Sequence, residues 1–211
     1  MLKASVIIIV EPNESNLMDC LNSACSQMMT EYEVICVLGR GSSAAEDALG
    51  ICSAGSSMLH VVRLPETADV WQACQAGMDA AQGQYISFLS SENTYASQNT
   101  LQQMVEAAEK TGAAIVGGGL QAGGERPEQL KDLVRQYSFA DTRRMDYSEL
   151  QQDKFCQRFL FRKSMLTERG LCFRQDALLD VSFFLFRALM AEKRITAPAR
   201  KMHGRKQNRE M

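Results

Sequence analysis

Residues 85–97 read YISFLSSENTYAS. The apolar run Tyr85-Ile86-Ser87-Phe88-Leu89 stops at Ser90-Ser91-Glu92-Asn93, where one carboxylate and several oxygen-bearing side chains gather. A short apolar run closed by turn residues reads as a strand buried on both faces. The same signature recurs upstream at Ser5–Val10 (SVIIIV) and Glu33–Leu38 (EVICVL), and further strands fall at Leu59–Leu64 (LHVVRL) and Ala113–Val116. Helical spacing fills the gaps. Leu17, Leu21, Ala24 and Met28 follow the cap residues Asn13 and Ser15. Ser43-Ala-Ala-Glu46 is a capping box that opens another helix. Asp69 can cap a helix in which Val70, Ala73, Gly77 and Ala80 share a face, with Gly83 at its end. Thr100–Thr111 points Leu101, Met104, Val105 and Ala108 inward, and Gly112 lies beyond its end.

Strands alternating with capped helices imply an α/β fold, a mostly parallel sheet with helices on both faces. Each crossover should be right-handed. The strands near 5–10, 33–38, 59–64 and 84–89 are expected side by side, with their carboxyl ends on one edge. After Gly117-Gly118-Gly119, residues 120–152 are more polar, with one modest helix near Pro127–Tyr137, and read as an insertion or connection. In Lys154–Arg162 (KFCQRFLFR), Phe155, Gln157, Phe159 and Phe161 fall on one face, a strand signature. Leu178–Lys193 is apolar and long enough for a helix. The chain thus divides into 1–119, 120–152, 153–200 and 201–211.

The chain has 211 residues, 45% apolar, with a net charge of −2, which argues for a substantial core and gives no sign of a nucleic-acid partner. The charge is uneven. Residues 193–209 hold seven Lys or Arg and no acid. Such a basic tail either lies in solvent or rests on phosphates or an anionic membrane surface. Seven cysteines sit singly in apolar segments with no C-x-x-C pair, which favours small core hydrophobes in a reducing cytoplasm. The apolar run Val6–Val10 is too short for a membrane span or a signal peptide, so the expected location is cytoplasmic, with peripheral membrane contact through the tail as an option.

In an open parallel sheet, ligands bind beyond the carboxyl ends of the strands. Here those ends are Glu11-Pro12-Asn13, Gly39-Arg40-Gly41-Ser42, Pro65-Glu66 and Ser90-Ser91-Glu92-Asn93, all small, polar or charged. Four stretches, SVIIIVEPNESNLMDCLNSACSQ, YEVICVLGRGSS, QAGMDAAQGQYISFLSSEN and FCQRFLFRKSMLTERGLCFRQDALLDVSFFLFRAL, follow one another in the order found in family 2 glycosyltransferases. Over roughly residues 4–200 the chain resembles that family, whose domain has the GT-A fold, a Rossmann-like nucleotide-diphospho-sugar transferase fold. The resemblance implies a nucleotide-diphospho-sugar donor on the sheet edge and transfer of the sugar to an acceptor hydroxyl with inversion. It implies a donor-binding half at 1–119 and an acceptor-side half at 153–200, and it leaves a glycan or a lipid-linked molecule open as acceptor.

Carried over position by position, donor contacts fall on Ile9, Val10, Glu11, Pro12, Leu38, Gly39, Arg40, Gly41, Ser90 and Ser91. A divalent cation, Mn or Mg, falls on Glu92, and the catalytic base on Asp180. Many of these positions depart from the family pattern. Ile9, Glu11 and Pro12 replace its proline, tyrosine and asparagine. Leu38-Gly39-Arg40-Gly41-Ser42 replaces V-D-D-G-S after Val37, and Ala73-Cys74-Gln75 replaces Ala-Arg-Asn. Ser90-Ser91-Glu92-Asn93 replaces an aspartate-rich D-x-D motif, leaving one carboxylate where the family has several.

A sugar-nucleotide diphosphate is multiply anionic, and its leaving group gains charge during transfer. Hard oxygen ligands normally hold a cation against that charge, and two carboxylates hold it better than one. The expected metal site is therefore weak. Arg40 offers a second source of positive charge through bidentate pairing with phosphate; the alternative is an arginine on a polar surface loop. Asp180 opens an apolar helix, so it reads either as a partly desolvated base or as an N-cap. Two rival functions stay open. Gly39-Arg40-Gly41-Ser42-Ser43-Ala44 matches G-x-G-x-x-A, but no acid ends the next strand as a nicotinamide site would need. A GT-A domain without catalysis, serving as a binding or interaction module, is the stronger rival.

Overall fold

The computed structural model describes residues 1–10, 16–39, 45, 49–50, 58–117, 119–122, 143–146, 156–174, 181–192, 194–197 and 201–205. Its centre is four parallel strands, β1 (Ala4–Val10), β2 (Tyr32–Leu38), β3 (Leu59–Arg63) and β4 (Tyr85–Ser90). They stand in the order β3-β2-β1-β4, with β1 in register with both neighbours: Ile9 lies opposite Val37 on one side and Ser90 on the other. All four carboxyl ends share one edge, as the apolar runs predict.

Beyond β4 the sheet becomes mixed. β9 (Phe159–Arg162) pairs antiparallel with β4 and with β6 (Ile115–Gly117). Outside them lie β10 (Arg194–Ala197), parallel to β6, and β8 (Arg143–Asp146), antiparallel to β10. The order of the eight strands is β3-β2-β1-β4-β9-β6-β10-β8. β9 is shorter than the sequence suggests. Residues 156–158 form a 3₁₀ turn, and the expected Phe155 lies outside the described residues. The alternation that remains is sound: Phe159 and Phe161 enter one core and Leu160 the other.

Each face of the sheet carries its own core. Ile7, Ile9, Ile35, Val37, Ile86 and Phe88 point to one face. It is covered by α2 (Val70–Ala80), the short α4 (Lys163–Glu168) and α5 (Val181–Ala191). Val6, Ile8, Val10, Val34, Cys36 and Leu38 point to the other. It is covered by α1 (Leu17–Cys25) and α3 (Thr100–Thr111). This two-sided burial explains the unbroken β-branched runs of β1 and β2, in which no position faces water, whereas edge strand β3 exposes His60 and Arg63. Each fully buried Ile or Val contributes about 1.5–3 kcal/mol relative to exposure. On the first face Phe88, Phe161, Phe173 and Phe184 interlock, with Phe173 stacked on Phe184 at 4.0 Å and edge contacts among the others.

Some local readings shift. α3 buries Leu101, Met104, Val105 and Ala108 and ends on Gly112 at φ 68°, as its spacing predicts. α2 instead buries Ala73, Cys74, Gly77 and Met78, while Val70 and Ala80 are exposed. Asp69 is its N-cap, and its N–H donates to Gln72 Oε1 at 2.8 Å, one arm of a capping box. The helix closes at Ala81, and Gly83 serves closeness rather than capping. A Cβ there would overlap the backbone of Ala4 and Ser5. On the other face α1 ends at Cys25 and leaves Met28 exposed. The Pro127–Tyr137 helix lies outside the described residues.

The amino edge of the sheet is tied by Glu33, only 2% exposed. Its Oε1 accepts from Ser5 Oγ at 2.6 Å and from the Gln82 N–H at 2.6 Å, and Ser5 Oγ accepts from the Gly83 N–H at 2.8 Å. His60 Nε2 stands 3.8 Å from Glu33 Oε2. None of the described cysteines, Cys20, Cys25, Cys36, Cys74, Cys156 and Cys172, is in a disulfide. Among the described residues no helix is long and apolar enough to cross a membrane.

Candidate active site

The chemistry-bearing turn follows β4. Pairing of β1 with β4 ends at Ile9 and Ser90, and the chain then folds back over the end of β1. Ser91 makes that fold. Its N–H and its Oγ both approach Ile9 O, at 3.2 and 3.3 Å, and its side chain is fully buried. Ser90 O accepts from Cys20 Sγ at 3.5 Å, which ties the turn to α1. Asn93 Nδ2 donates to Ser90 Oγ at 2.7 Å, closing the turn from within. Glu92 is half-buried at its tip. Below it, buried Tyr95 donates its hydroxyl to Ser87 Oγ at 2.9 Å, and burial raises its pKa well above the usual tyrosine range.

Two further segments reach the same edge. Ile9 and Val10 end β1, both nearly buried. Leu38 ends β2, and Gly39 follows it, buried, with an added Cβ only 3.9 Å from Ala68 O. Leu38 O accepts from the Leu64 N–H at 2.9 Å, so the β3 exit is drawn against the β2 exit. Ile9, Val10, Leu38, Gly39, Ser90, Ser91 and Glu92 therefore share one edge. Glu11, Pro12, Arg40, Gly41 and Asp180 lie outside the described residues.

Sequence reasoning missed one partner of this turn. β5 (Asn93–Tyr95) is the edge of a second, three-stranded sheet of order β5-β11-β7. β11 (Lys201–Arg205) runs antiparallel to β5, with Arg205 opposite Asn93 and His203 opposite Tyr95, and parallel to β7 (Gly119–Ala122). Residues 201–205, read from composition as the start of a basic tail, are thus a strand beside the carboxylate turn. The segment KMHGR has no β-branched residue, so no local signal marks it. Nor does the sequence reveal Arg158, 1% exposed, whose guanidinium lies 4.4 Å over the Phe159 ring.

As a cation site the turn is sparse. Among the described residues no three His, Cys, Asp or Glu side chains cluster, and Ser90 Oγ already accepts from Asn93. Glu92 with neutral oxygens fits a cation that phosphate oxygens help to hold, and it fits poorly as a stand-alone metal site.

A parallel sheet with converging polar exits and a turn after its fourth strand is the arrangement of an α/β domain of the GT-A class. Residues 5–170 match the sequence profile of glycosyl transferase family 2, and the chain belongs to that family. Solved structures give the same fold. The S. aureus TarS 1–349 structure in complex with UDP-GlcNAc superposes with a TM-score of 0.84 at 16% identity, over 100% of this chain and 60% of that one. The same protein in complex with UDP gives 0.83 at 16% identity, over 96% and 60%. The mannosyltransferase PcManGT from Pyrobaculum calidifontis, in complex with GDP-Man and Mn2+, gives 0.64 at 16% identity, over 94% and 57%. This chain spans about 60% of the length of these structures. A search of curated protein sequences returns no match.

Proposed function

We propose that the chain binds a nucleotide-diphospho-sugar across the exits of β1, β2 and β4 and transfers the sugar to an acceptor hydroxyl with inversion. The observation that carries this reading is the convergence of Ile9–Val10, Leu38–Gly39 and Ser90–Glu92 on one edge. The nucleoside lies against residues 9–12 and 38–41, and the diphosphate lies by Ser90, Ser91 and Glu92. Residues 1–119 form the donor half and 153–200 the acceptor half, joined through 120–152. Asp180, one residue before α5, takes the proton from the acceptor hydroxyl as it attacks. The acceptor is a glycan or a lipid-linked molecule, and the protein works in the cytoplasm, peripheral to the membrane. Structures of similar fold hold UDP-GlcNAc, UDP and GDP-Man, which supports a sugar-nucleotide donor.

A divalent cation, manganese or magnesium, would be held by Glu92 together with the diphosphate, and would supply charge neutralisation. The chain's own contribution is Arg40, next to Gly39, as a guanidinium partner for phosphate. A second reading has one specific observation behind it. A single carboxylate in the Ser90–Asn93 turn suits a domain that binds a nucleotide sugar without turning it over.

Calorimetry with UDP, UDP-GlcNAc and GDP-Man, with and without manganese, tests donor binding. A transfer assay with added acceptors separates the two readings. Binding with turnover supports the transferase; binding without turnover supports the module. No binding by any nucleotide under either condition removes both. Arg40→Ala should weaken a nucleoside diphosphate about tenfold more than a nucleoside. Equal losses would remove Arg40 from the phosphate site.

A further inference from the structure

At the opposite edge of the sheet a groove of about 720 Å³ opens, lined by Gln82, Gln84, Tyr85, Arg162, Lys163 and Ser164 among others. It lies by the amino end of β4. A six-residue strand separates it from the donor edge by about 20 Å. Two adjacent cationic side chains, Arg162 and Lys163, line it, both half-buried. Arg162 donates through Nη2 to Ala113 O at 3.1 Å and lies over the Tyr85 ring at 5.9 Å. Lys163 Nζ donates to Ala81 O at 2.5 Å. Those carbonyls orient the two cations without neutralising them. Among the described residues neither forms an ion pair with a carboxylate. A guanidinium and an ammonium each carry several more N–H donors than these bonds use.

From this geometry we infer that the groove is a second ligand site, for a small phosphate ester. Partial burial strengthens charge-assisted bonds to an anion, and the guanidinium fork matches two phosphate oxygens at once. The Gln82 side-chain amide and the Ser164 hydroxyl, which also line the groove, offer neutral donors. The volume exceeds what bare phosphate needs, so an organic group fits beside it, against Tyr85 and the aliphatic stems of Arg162 and Lys163. Glu168 also lines the groove. An acid there disfavours an extended polyanion such as nucleic acid and favours a compact ligand.

The experiment is a backbone-amide NMR titration of the full chain with inorganic phosphate and with glycerol phosphate. Saturable shifts at residues 82–85 and 162–164 are expected, with a Kd in the millimolar range or tighter and tighter for the ester. Arg162→Gln with Lys163→Gln should weaken binding at least tenfold. Ser164→Glu, at an exposed position outside both carbonyl contacts, should do the same without disturbing the fold. Unchanged affinity in Ser164→Glu, shifts confined to residues 90–93, or no saturation by either probe would overturn the assignment.

Discussion

Ser91 shows how one side chain sets the carboxyl edge of the sheet. Its hydroxyl and N–H share Ile9 O and turn the chain back over β1, so the carboxylate that follows is presented instead of continuing the strand. A family-like acid at the two flanking positions would change the chemistry more than the shape. Ser90→Asp with Glu92→Asp should tighten manganese at least tenfold in the presence of UDP, because two carboxylates recover more of a cation's lost hydration than one. Titration calorimetry of both proteins reads this directly, and equal affinities would place the cation's main ligand elsewhere. Turnover need not follow, since Leu38-Gly39 still stands where the family has nucleoside-contacting acids. A second residue-scale test concerns Tyr32, whose pKa is raised to about 12, chiefly by burial and then by the nearby Cys25 thiol. A hydroxyl protonated more firmly in the folded chain stabilises it fully below pH 10, and that stability is lost as pH rises towards 12. Denaturant melts from pH 8 to 12 should show a decline on the order of 2 kcal/mol from this group. The buried hydroxyl makes no hydrogen bond of good geometry, and the Gln27 backbone favours its ionised form only weakly, so Tyr32→Phe should flatten that limb and cost little at pH 7.

At the scale of elements, closeness decides where glycine is needed. α2 crosses β1 at Gly77, where an added Cβ would overlap Ile7 Cγ2 and come within 3.1 Å of Val37 Cγ2. Gly77→Ala gains about 1 kcal/mol of helix propensity but overpacks the core by about 1–3 kcal/mol. The net expectation is a modest loss, because side chains can shift. Gly83→Ala meets backbone at Ala4 and Ser5, which cannot shift without breaking the Ser5–Glu33 ties, so it should cost more than Gly77→Ala. Thermal melts of the two variants test that order, and a reversal would mean the turn is looser than its contacts indicate. These elements also show what a sequence can reveal. β1, β2 and β4 are buried on both faces, so their identity is written in unbroken apolar runs. In α2 the spacing places Ala73 and Gly77 inward rightly and Val70 and Ala80 wrongly, because Val70 begins the helix at its exposed margin and a period alone does not fix the phase when Ala and Gly carry it. The segments at the strand exits are legible through their place after strands, while their contacts are not: Cys20 reaches Ser90 across 70 residues, and nothing near either one announces it.

For the whole molecule the telling feature is that the parallel half is contiguous in sequence and the rest is not. β3-β2-β1-β4 comes from the first 90 residues, whereas β9 reaches back to separate β4 from β6. Pairings of that kind depend on non-local contacts, so pattern reading recovers β6, β9 and α5 as elements but not their places in the sheet, and it misses β11. Hydrogen exchange should reflect the same division, with amides of β1, β2 and β4 protected longest. Deleting residues 200–211 removes β11, which bridges β5 and β7, and should leave those slowest amides unchanged while the amides of 93–95 exchange faster. Loss of protection in β1 as well would mean that the two sheets unfold as one unit.

That bridging strand bears on how the protein is made. β5 leaves the ribosome roughly a hundred residues before β11 is translated. The central sheet has its β1, β2 and β4 strands by then, so it can assemble on the nascent chain while the flank of the Ser90–Asn93 turn waits for its partner. The flank of the turn is therefore complete only once β11 has emerged, and a ribosome stalled at residue 195 should carry a folded β3-β2-β1-β4 sheet whose 93–95 amides exchange freely.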